Sequence, residues 1–174
     1  NLLSSGDVLA MVAGSARDIL SRERVMLNLI QRLCGIATLS RKYAKIANPF
    51  NVMILDTRKT TPGLRLFEKY AVAIGGSYNH RLNLSDGILI KDNHIIAAGS
   101  ITGAIESAQK SNANLPIELE VDNIDQIKEA LKIGVDGFLL DNMDPETVRL
   151  AVAIIRESEK GDDIFIEASG GINI

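Results

Sequence analysis

A group of basic residues in the first half of the chain could bind a small molecule that carries several negative charges. The group lies between Asp56 and His94 and consists of Arg58, Lys59, Arg65, His80, Arg81, Lys91 and His94. Arginine offers a planar fork that matches carboxylates and phosphates, whereas lysine supplies a compact point charge. The alternative is that these cations form ordinary salt bridges with their acidic neighbours Glu68, Asp86 and Asp92.

A second group, farther along the chain, is acidic. Glu120 and Asp141 each stand at the end of an apolar run. Two such carboxylates can hold a hard divalent cation, bind sugar hydroxyls or stabilise a positive transition state, or they can merely neutralise the bases. Asn142 follows Asp141, and the turn Ser169, Gly170, Gly171 supplies small residues whose backbone N–H groups suit a phosphate.

Arg24 is a separate candidate. The pattern predicts a long helix capped by Ser21, which places Arg22 and Arg24 in its first turn. The helix dipole disfavours a cation there by roughly 0.3 to 1 kcal/mol, so an anionic partner is one explanation for these arginines. A solvated first turn beside Glu23 is the other.

The elements that must position these groups follow a βα rhythm. Five apolar runs, at residues 51–56, 87–92, 116–121, 137–141 and 163–168, have the length of strands and are apolar enough to be covered on both faces. Helices capped by Asn123 and Asp144 lie between the later runs. The pattern predicts an α/β fold with parallel strands, either a TIM-like barrel or an open doubly wound sheet. In both folds the carboxyl ends of the strands meet, so the two groups are expected in one pocket.

Composition narrows the function classes. The chain has 174 residues, a net charge of −3 and only 4% aromatic residues, which disfavours a nucleic-acid surface. Its single cysteine, Cys34, lies among apolar residues and is predicted to belong to the core. No run is long enough for a membrane helix and no signal peptide is evident, so a cytoplasmic protein is expected.

The pairing of DTRKTTPG (56–63) with NHRLNLSDGILIKDNH (79–94) resembles quinolinate phosphoribosyltransferase. The resemblance extends through IELEVDN, FLLDNM and EASGGI and covers essentially the whole chain. It implies an incomplete TIM-like (β/α) barrel over residues 21–174, preceded by the remnant of a small N-terminal α+β domain over residues 1–20. The sequence starts without a methionine and stops at Ile174, so we expect a piece of a longer chain.

The resemblance also implies a reaction. Quinolinate and phosphoribosyl pyrophosphate would give nicotinate mononucleotide, pyrophosphate and carbon dioxide, with Mg²⁺ as the cofactor. The implied protein is a homodimer or higher homo-oligomer with shared active sites, in which Arg24 reaches into the pocket of the neighbouring subunit.

Residue roles follow by motif match. The implied quinolinate ligands are Arg24 (in trans), Arg58, His80, Arg81 and Lys91. The implied phosphoribosyl pyrophosphate ligands are Lys59, Glu120, Asp141, Asn142, Ser169, Gly170 and Gly171, with His94 as an additional candidate. The implied catalytic residues are Lys59, Lys91, Glu120 and Asp141, and Glu120 and Asp141 would hold the metal directly or through water.

Three alternatives stay open at this point. A paralogous phosphoribosyltransferase could act on another aromatic acid, and a Schiff-base aldolase could use Lys91 as its nucleophile. The third alternative is a non-catalytic barrel that serves as an oligomer scaffold.

Overall fold

The structure is a computed structural model that describes residues 3–111 and 114–174. The chain divides into two compact units, Asn1–His80 and Arg81–Ile174. In the part of the chain that is described, no helix combines the length and the apolar content that crossing a bilayer requires.

The first unit is dominated by one long helix, α1 (Ala16–Ala47), which begins earlier than the sequence predicted. Its cap is Ser15, whose hydroxyl oxygen accepts from the Asp18 N–H at 3.2 Å and donates to the Asp18 carboxylate at 2.9 Å. The prediction of a cap at Ser21 is therefore wrong, because Ser15 and Asp18 close a capping pair one and a half turns earlier. The helix continues without a break across residues 20 and 21, where the domain boundary was predicted. The boundary itself stays a prediction.

A short 3₁₀ turn (Asn48–Phe50) and a second helix, α2 (Arg65–Gly75), complete the helical part of this unit. The two α-helices are in tight contact at Gly75. A Cβ atom there would lie 2.5 Å from the carbonyl oxygen of Ala37 and 2.6 Å from Cβ of Ser40, so only glycine permits this contact.

Cys34 is exposed, so its predicted place in the core is wrong. The buried and half-buried positions of α1 in this region follow helical spacing: Leu33, Ile36, Ala37, Ser40 and Ala44. Cys34 falls outside that stripe, and an apolar neighbourhood in sequence did not bring it to the packed face of the helix.

The first predicted strand, residues 51–56, forms only an isolated bridge between Leu55 and Tyr78. The Tyr78 N–H donates to the Ile54 carbonyl at 2.8 Å, and the Asp56 N–H donates to the Tyr78 carbonyl at 3.0 Å. The strand prediction is wrong in extent, because the described residues of this unit pair with the segment at Tyr78 alone and a ladder needs several paired residues.

The second unit contains a parallel four-stranded sheet whose strands follow chain order. Its elements are β1 (Ile88–Ile90), α3 (Asp92–Ala98), α4 (Ile101–Lys110), β2 (Ile117–Val121), α5 (Ile124–Ile133), β3 (Gly137–Asp141), α6 (Pro145–Arg156), a 3₁₀ turn (Gly161–Asp163) and β4 (Phe165–Ser169). The last four predicted strands and the parallel pairing are confirmed.

One face of this sheet packs against the helices. Leu119, Phe138 and Leu140 are fully buried there, together with Ile127 of α5 and Ile155 of α6. The caps at Asn123 and Asp144 are confirmed, since each side chain accepts from backbone N–H groups of the helix that follows.

The other face of the sheet carries acidic side chains. Glu118 and Glu120 alternate with the core residues of β2, and Glu167 alternates with Ile166 and Ala168 of β4. The prediction that the strands are covered on both faces agrees with β2, in which the successive residues Ile117, Glu118 and Leu119 are all buried, but one of its two faces carries acids rather than apolar side chains. Successive side chains of a strand point to opposite faces, and register partners share a face, so the glutamates share theirs with Leu89 of β1 and Leu139 of β3.

Glu68 is a buried acid in the first unit, and its partners explain its state. Arg32 Nε donates to Glu68 Oε1 at 2.8 Å, and the Thr61 N–H donates to Oε2 at 3.1 Å. Burial alone would raise the pKa of Glu68, but the hydrogen bonds from Thr61 and Arg32 outweigh burial and hold that pKa below its usual value. The salt-bridge alternative assigned Glu68 to the basic group at residues 58–94, and the structure pairs it with Arg32 instead.

We predict that Ile155→Ala lowers the free energy of unfolding of the full-length protein by about 2 to 5 kcal/mol, because the side chain is fully buried in the core of the second unit. Urea denaturation followed by circular dichroism measures this loss. Leu150→Ala on the same helix is the matched control, since Leu150 is exposed, and it should change stability by less than about 0.5 kcal/mol. Equal losses in the two variants would contradict the packing described here.

We also predict a pH-dependent effect of Glu68→Gln. A carboxyl group with a depressed pKa stabilises the folded state above the pKa of its unfolded form, and the effect is lost as pH falls through the folded value. The wild type should therefore exceed Glu68→Gln in stability at pH 7, and the gap should shrink as pH falls below the ordinary pKa of a glutamate side chain, about 4.3. Denaturation curves between pH 3 and pH 7 measure the gap, and a constant gap would contradict the assignment.

Candidate active site

Arg58 lies in the loop that precedes α2, and other loop residues hold its backbone. Its carbonyl oxygen accepts from the Thr60 N–H at 2.9 Å and from an Arg65 guanidinium nitrogen at 3.3 Å. Arg65 Nε also donates to the Thr60 hydroxyl at 3.1 Å. Arg65, a member of the basic group, therefore braces the loop that presents Arg58.

The Arg58 side chain itself has spare donor capacity. Its Nε atom is buried, and among the described residues it has no hydrogen-bond acceptor. A buried donor without a partner is costly, so this nitrogen is suited to an external anion.

Lys59 and Arg24 are both exposed residues of the first unit. The Lys59 N–H donates to the Thr57 hydroxyl at 3.1 Å, which fixes the backbone of the loop. Arg24 lies more than two turns inside α1, so its predicted place in the first turn is wrong, and the helix dipole no longer explains it because that effect is confined to the end turns. Its role in a neighbouring subunit stays a prediction.

His80 closes the first unit, and its backbone is bonded on both sides. Its N–H donates to Asp56 Oδ1 at 2.8 Å, and its carbonyl oxygen accepts from Lys69 Nζ at 3.0 Å. Asp56 and Lys69 form an ion pair with each other.

Arg81 opens the second unit. One of its terminal nitrogens donates to the Gly87 carbonyl at 2.8 Å, which anchors the side chain at the start of β1. Its Nε atom is buried and has no acceptor within the described part of the chain. Asp86, a proposed salt-bridge partner, accepts instead from the N–H groups of Leu82 and Asn83 at 2.8 and 3.2 Å.

Lys91 follows β1 and forms an ion pair with Glu120 of β2. The register pairs Ile90 with Leu119, so the next residues on the two strands, Lys91 and Glu120, come side by side. His94 has a local role, because its Nδ1 atom accepts from the Lys91 N–H at 2.9 Å at the start of α3. The imidazole thus holds the backbone of the residue that pairs with Glu120.

Asp141 and Ser169 are register partners at the carboxyl ends of β3 and β4. Asn142 joins them, since its N–H donates to the Ser169 carbonyl at 2.8 Å and its Nδ2 donates to Asp141 Oδ2 at 2.9 Å. Gly170 takes a φ of 83°, and a Cβ atom there would lie 2.0 Å from Asn142 Oδ1. The carboxyl edge therefore joins Asp141, Asn142 and the glycine turn in one hydrogen-bonded group.

Glu118 was missed by the sequence analysis. It is buried on the acidic face of β2, and burial, with the charge of Glu167, raises the pKa of its carboxyl group to about 7. The charges of Arg81 and Lys91 act in the opposite direction. Alternation was the missed signal, since IELEV places Glu118 and Glu120 on the same face.

Asp56, Lys69 and Arg32 were also missed as supporting residues. The sequence analysis noted Asp56 because it ends a predicted strand, but it did not identify Lys69 as its buried partner. Lys69 lies inside an amphipathic helix, where a lysine is expected to be exposed. The local sequence gave no signal for Arg32.

The carboxylates of Glu120 and Asp141 are the type of ligand that a hard cation such as Mg²⁺ prefers. Glu120 engages one oxygen, Oε2, with Lys91, and Asp141 engages Oδ2 with Asn142. Mg²⁺ keeps several waters and takes one or two carboxylates from a protein, so the remaining oxygens fit such a role.

Comparisons with known proteins agree with this geometry. The family described as "Quinolinate phosphoribosyl transferase, C-terminal domain" matches residues 36–174. The chain is 47% identical to the probable nicotinate-nucleotide pyrophosphorylase [carboxylating] of Bacillus subtilis, over 100% of this chain and 59% of that protein. It is 44% identical to the protein of the same name from Synechocystis, over 99% of this chain and 58% of that protein.

A solved structure of a NadC deletion mutant superposes with a TM-score of 0.91 at 45% identity, covering 98% of this chain and 59% of the other. The chain thus spans roughly three fifths of the length of these relatives. The matched domain, the identities and the parallel βα units with charged carboxyl ends lead to one conclusion: this chain belongs to the quinolinate phosphoribosyl transferase family.

Proposed function

We propose that the full-length protein transfers the phosphoribosyl group of phosphoribosyl pyrophosphate to quinolinate and releases carbon dioxide, with nicotinate mononucleotide and pyrophosphate as products. In this proposal it is a pentosyltransferase of de novo NAD biosynthesis. The relatives named nicotinate-nucleotide pyrophosphorylase [carboxylating] support the reaction, and the arginine chemistry supports the diacid substrate.

One observation carries the choice of an anionic substrate. Arg58 and Arg81, each predicted to bind a quinolinate carboxylate, each have a buried Nε atom without an acceptor among the described residues. A guanidinium donor that is shielded from water and unpaired is suited to a carboxylate, which accepts two parallel N–H bonds from arginine. The predicted contributions of His80, Lys91 and, in trans, Arg24 complete the quinolinate set.

The chemistry follows from the charges. When the bond between ribose C1′ and pyrophosphate breaks, positive charge develops on the ribose ring, which a nearby carboxylate such as Asp141 stabilises. The quinolinate nitrogen then bonds to C1′, and the ring becomes a pyridinium. Cleavage of the bond from the ring to the adjacent carboxylate releases carbon dioxide, the electron pair is held beside the ring nitrogen, and a proton replaces the lost group.

Residues of this chain would support each stage. Lys59 offsets charge on the departing pyrophosphate, and the turn Ser169, Gly170, Gly171 offers backbone N–H groups to a phosphate. Glu120 and Asp141 would hold Mg²⁺ directly or through water, and the ion would supply charge neutralisation for the pyrophosphate. Lys91 would bind quinolinate and, through its ion pair with Glu120, would also contact one of the metal ligands.

We include a homodimer or higher homo-oligomer in the proposal. The apolar residues Leu20, Val25 and Leu27 of α1 and Phe67 and Tyr70 of α2 are exposed on the first unit. Exposed apolar surface of this kind is typical of a protein–protein contact, and Arg24 on the same helix would act in the neighbouring subunit. A cytoplasmic location, expected from the sequence, is part of the same proposal.

The assay of the full-length protein separates this function from the alternatives. Quinolinate and phosphoribosyl pyrophosphate should give equal amounts of carbon dioxide and nicotinate mononucleotide. Product formation with nicotinate in place of quinolinate would indicate the paralogous enzyme, and borohydride trapping of substrate on Lys91 would indicate the aldolase. A lack of saturable quinolinate binding in calorimetry would indicate the scaffold.

We predict that Arg81→Ala and Glu120→Gln affect different kinetic constants. Loss of a charged hydrogen bond costs about 1.5 to 3 kcal/mol, so Arg81→Ala should raise KM for quinolinate roughly 10- to 100-fold. Glu120→Gln should lower kcat by about 10²-fold or more, because it removes charge that acts on the transition state. Steady-state kinetics with each substrate varied in turn measures both effects. The exposed Lys110→Ala serves as a control, and normal kinetics in both test variants would refute the residue assignment.

We predict that Gly170→Ala raises KM for phosphoribosyl pyrophosphate and lowers stability. The new Cβ atom would collide with Asn142 Oδ1 and displace the group at the carboxyl edge. Gly99→Ala is the matched control, since Gly99 also has a positive φ, 82°, but a Cβ atom there meets nothing within 4 Å and Gly99 lies outside the proposed site. Both variants bear a backbone cost of about 1 to 3 kcal/mol, and only Gly170→Ala should add the loss of substrate affinity.

A further inference from the structure

A buried ion pair in the first unit has no role in the function proposed so far. The side chains of Asp56 and Lys69 are only 8% and 4% exposed, and they contact each other directly. Two charges removed from water lose much of their solvation, so a buried ion pair is weak as a source of stability. A contribution to stability therefore does not explain why Asp56 and Lys69 are buried together.

Those contacts surround the backbone of one residue, His80. The His80 N–H donates to Asp56 Oδ1 at 2.8 Å, and Lys69 Nζ donates to the His80 carbonyl oxygen at 3.0 Å. The peptide groups before and after the His80 Cα are thus each bonded to one member of the ion pair. A backbone fixed on both sides restricts φ and ψ, which in turn restrict the rotamers of the imidazole.

The ion pair is itself held in place. Asn79, with its amide turned so that Nδ2 faces two acceptors, donates to Asp56 Oδ2 at 2.7 Å and to the Lys69 carbonyl at 2.9 Å. The Asp56 N–H donates to the Tyr78 carbonyl at 3.0 Å. Both carboxylate oxygens of Asp56 are therefore bonded, and the backbone bridge to Tyr78 fixes where the carboxylate sits.

We propose that Asp56 and Lys69 are positioning residues that hold the His80 backbone between them and thereby aim the imidazole at a carboxylate of quinolinate. This inference rests on the proposed function, in which His80 binds that substrate. Neither side chain needs to touch quinolinate, because each acts through the peptide groups of His80. Small misplacements of a binding group are costly in a preorganised site.

Two variants of the full-length protein test the proposal. Lys69→Met removes the bond to the His80 carbonyl and leaves Asp56 buried without its countercharge. The double variant Asp56→Asn, Lys69→Met removes the same bond but contains no unpaired buried charge. Ile127→Val, in the core of the second unit, is the control that lowers the melting temperature without altering a contact of His80.

We expect both Lys69 variants to raise KM for quinolinate at least fivefold, while KM for phosphoribosyl pyrophosphate stays within twofold of the wild type. The double variant should recover melting temperature relative to Lys69→Met but should not recover KM for quinolinate. Ile127→Val should leave both KM values unchanged. If Lys69→Met does not fold, the double variant alone gives the decisive pair of KM values.

A merely structural pair gives a different result. In that case quinolinate KM would return to the wild-type value together with the melting temperature, or both KM values would change equally, and either outcome would overturn the proposal. The assay of the wild type separates this failure from failure of the proposed function, which would yield no product at all. In that event the His80 imidazole resonance, identified by its loss in His80→Asn, tests the positioning by itself: Asp56 and Lys69 position His80 only if the resonance shifts in the double variant and not in Ile127→Val.

Discussion

The alternation of side chains along parallel strands is the constraint on which the second unit depends. Leu119 faces the helices that cover one side of the sheet, while Glu118 and Glu120, its immediate neighbours, must face the other side. Burying the apolar face stabilises the unit, and the same geometry fixes the direction of every carboxylate. A one-residue shift in the register of β2 would move Leu119 to the acidic face and the two glutamates to the core face. The register of this strand therefore determines both the packing of the core and the position of the carboxylates.

Buried and half-buried polar contacts connect the elements of the first unit. Arg32, Thr61 and Glu68 join the long helix, the loop and α2, and Asp56 with Lys69 joins the loop to the segment at His80. Such contacts are directional, and unpaired members are costly to bury. They hold the loop that contains Arg58 in one conformation. Apolar contacts alone would fix that conformation less well, because they depend less on direction.

Several elements were predictable because their signals are local. The caps at Asn123 and Asp144 and the strands at residues 117–121 and 137–141 follow from short-range patterns that the structure confirms. The cap at Ser21, the strand at residues 51–56 and the burial of Cys34 were wrong, because each depended on competition or on packing. Ser15 formed the better cap, Leu55 found a single bridge partner, and Cys34 fell beside the packed stripe of α1.

The sequence by itself determined the family, through motifs of specific residue types at specific spacing, and it placed the charged residues at strand ends. Only the tertiary structure decided which charges meet: Lys69 with Asp56, Lys91 with Glu120, and Arg32 with Glu68, over separations of 13, 29 and 36 residues. The reason is physical. Propensity and periodicity act over a few neighbouring residues, whereas the partner of a buried charge is fixed by how distant elements pack and by which groups remain to replace its lost water.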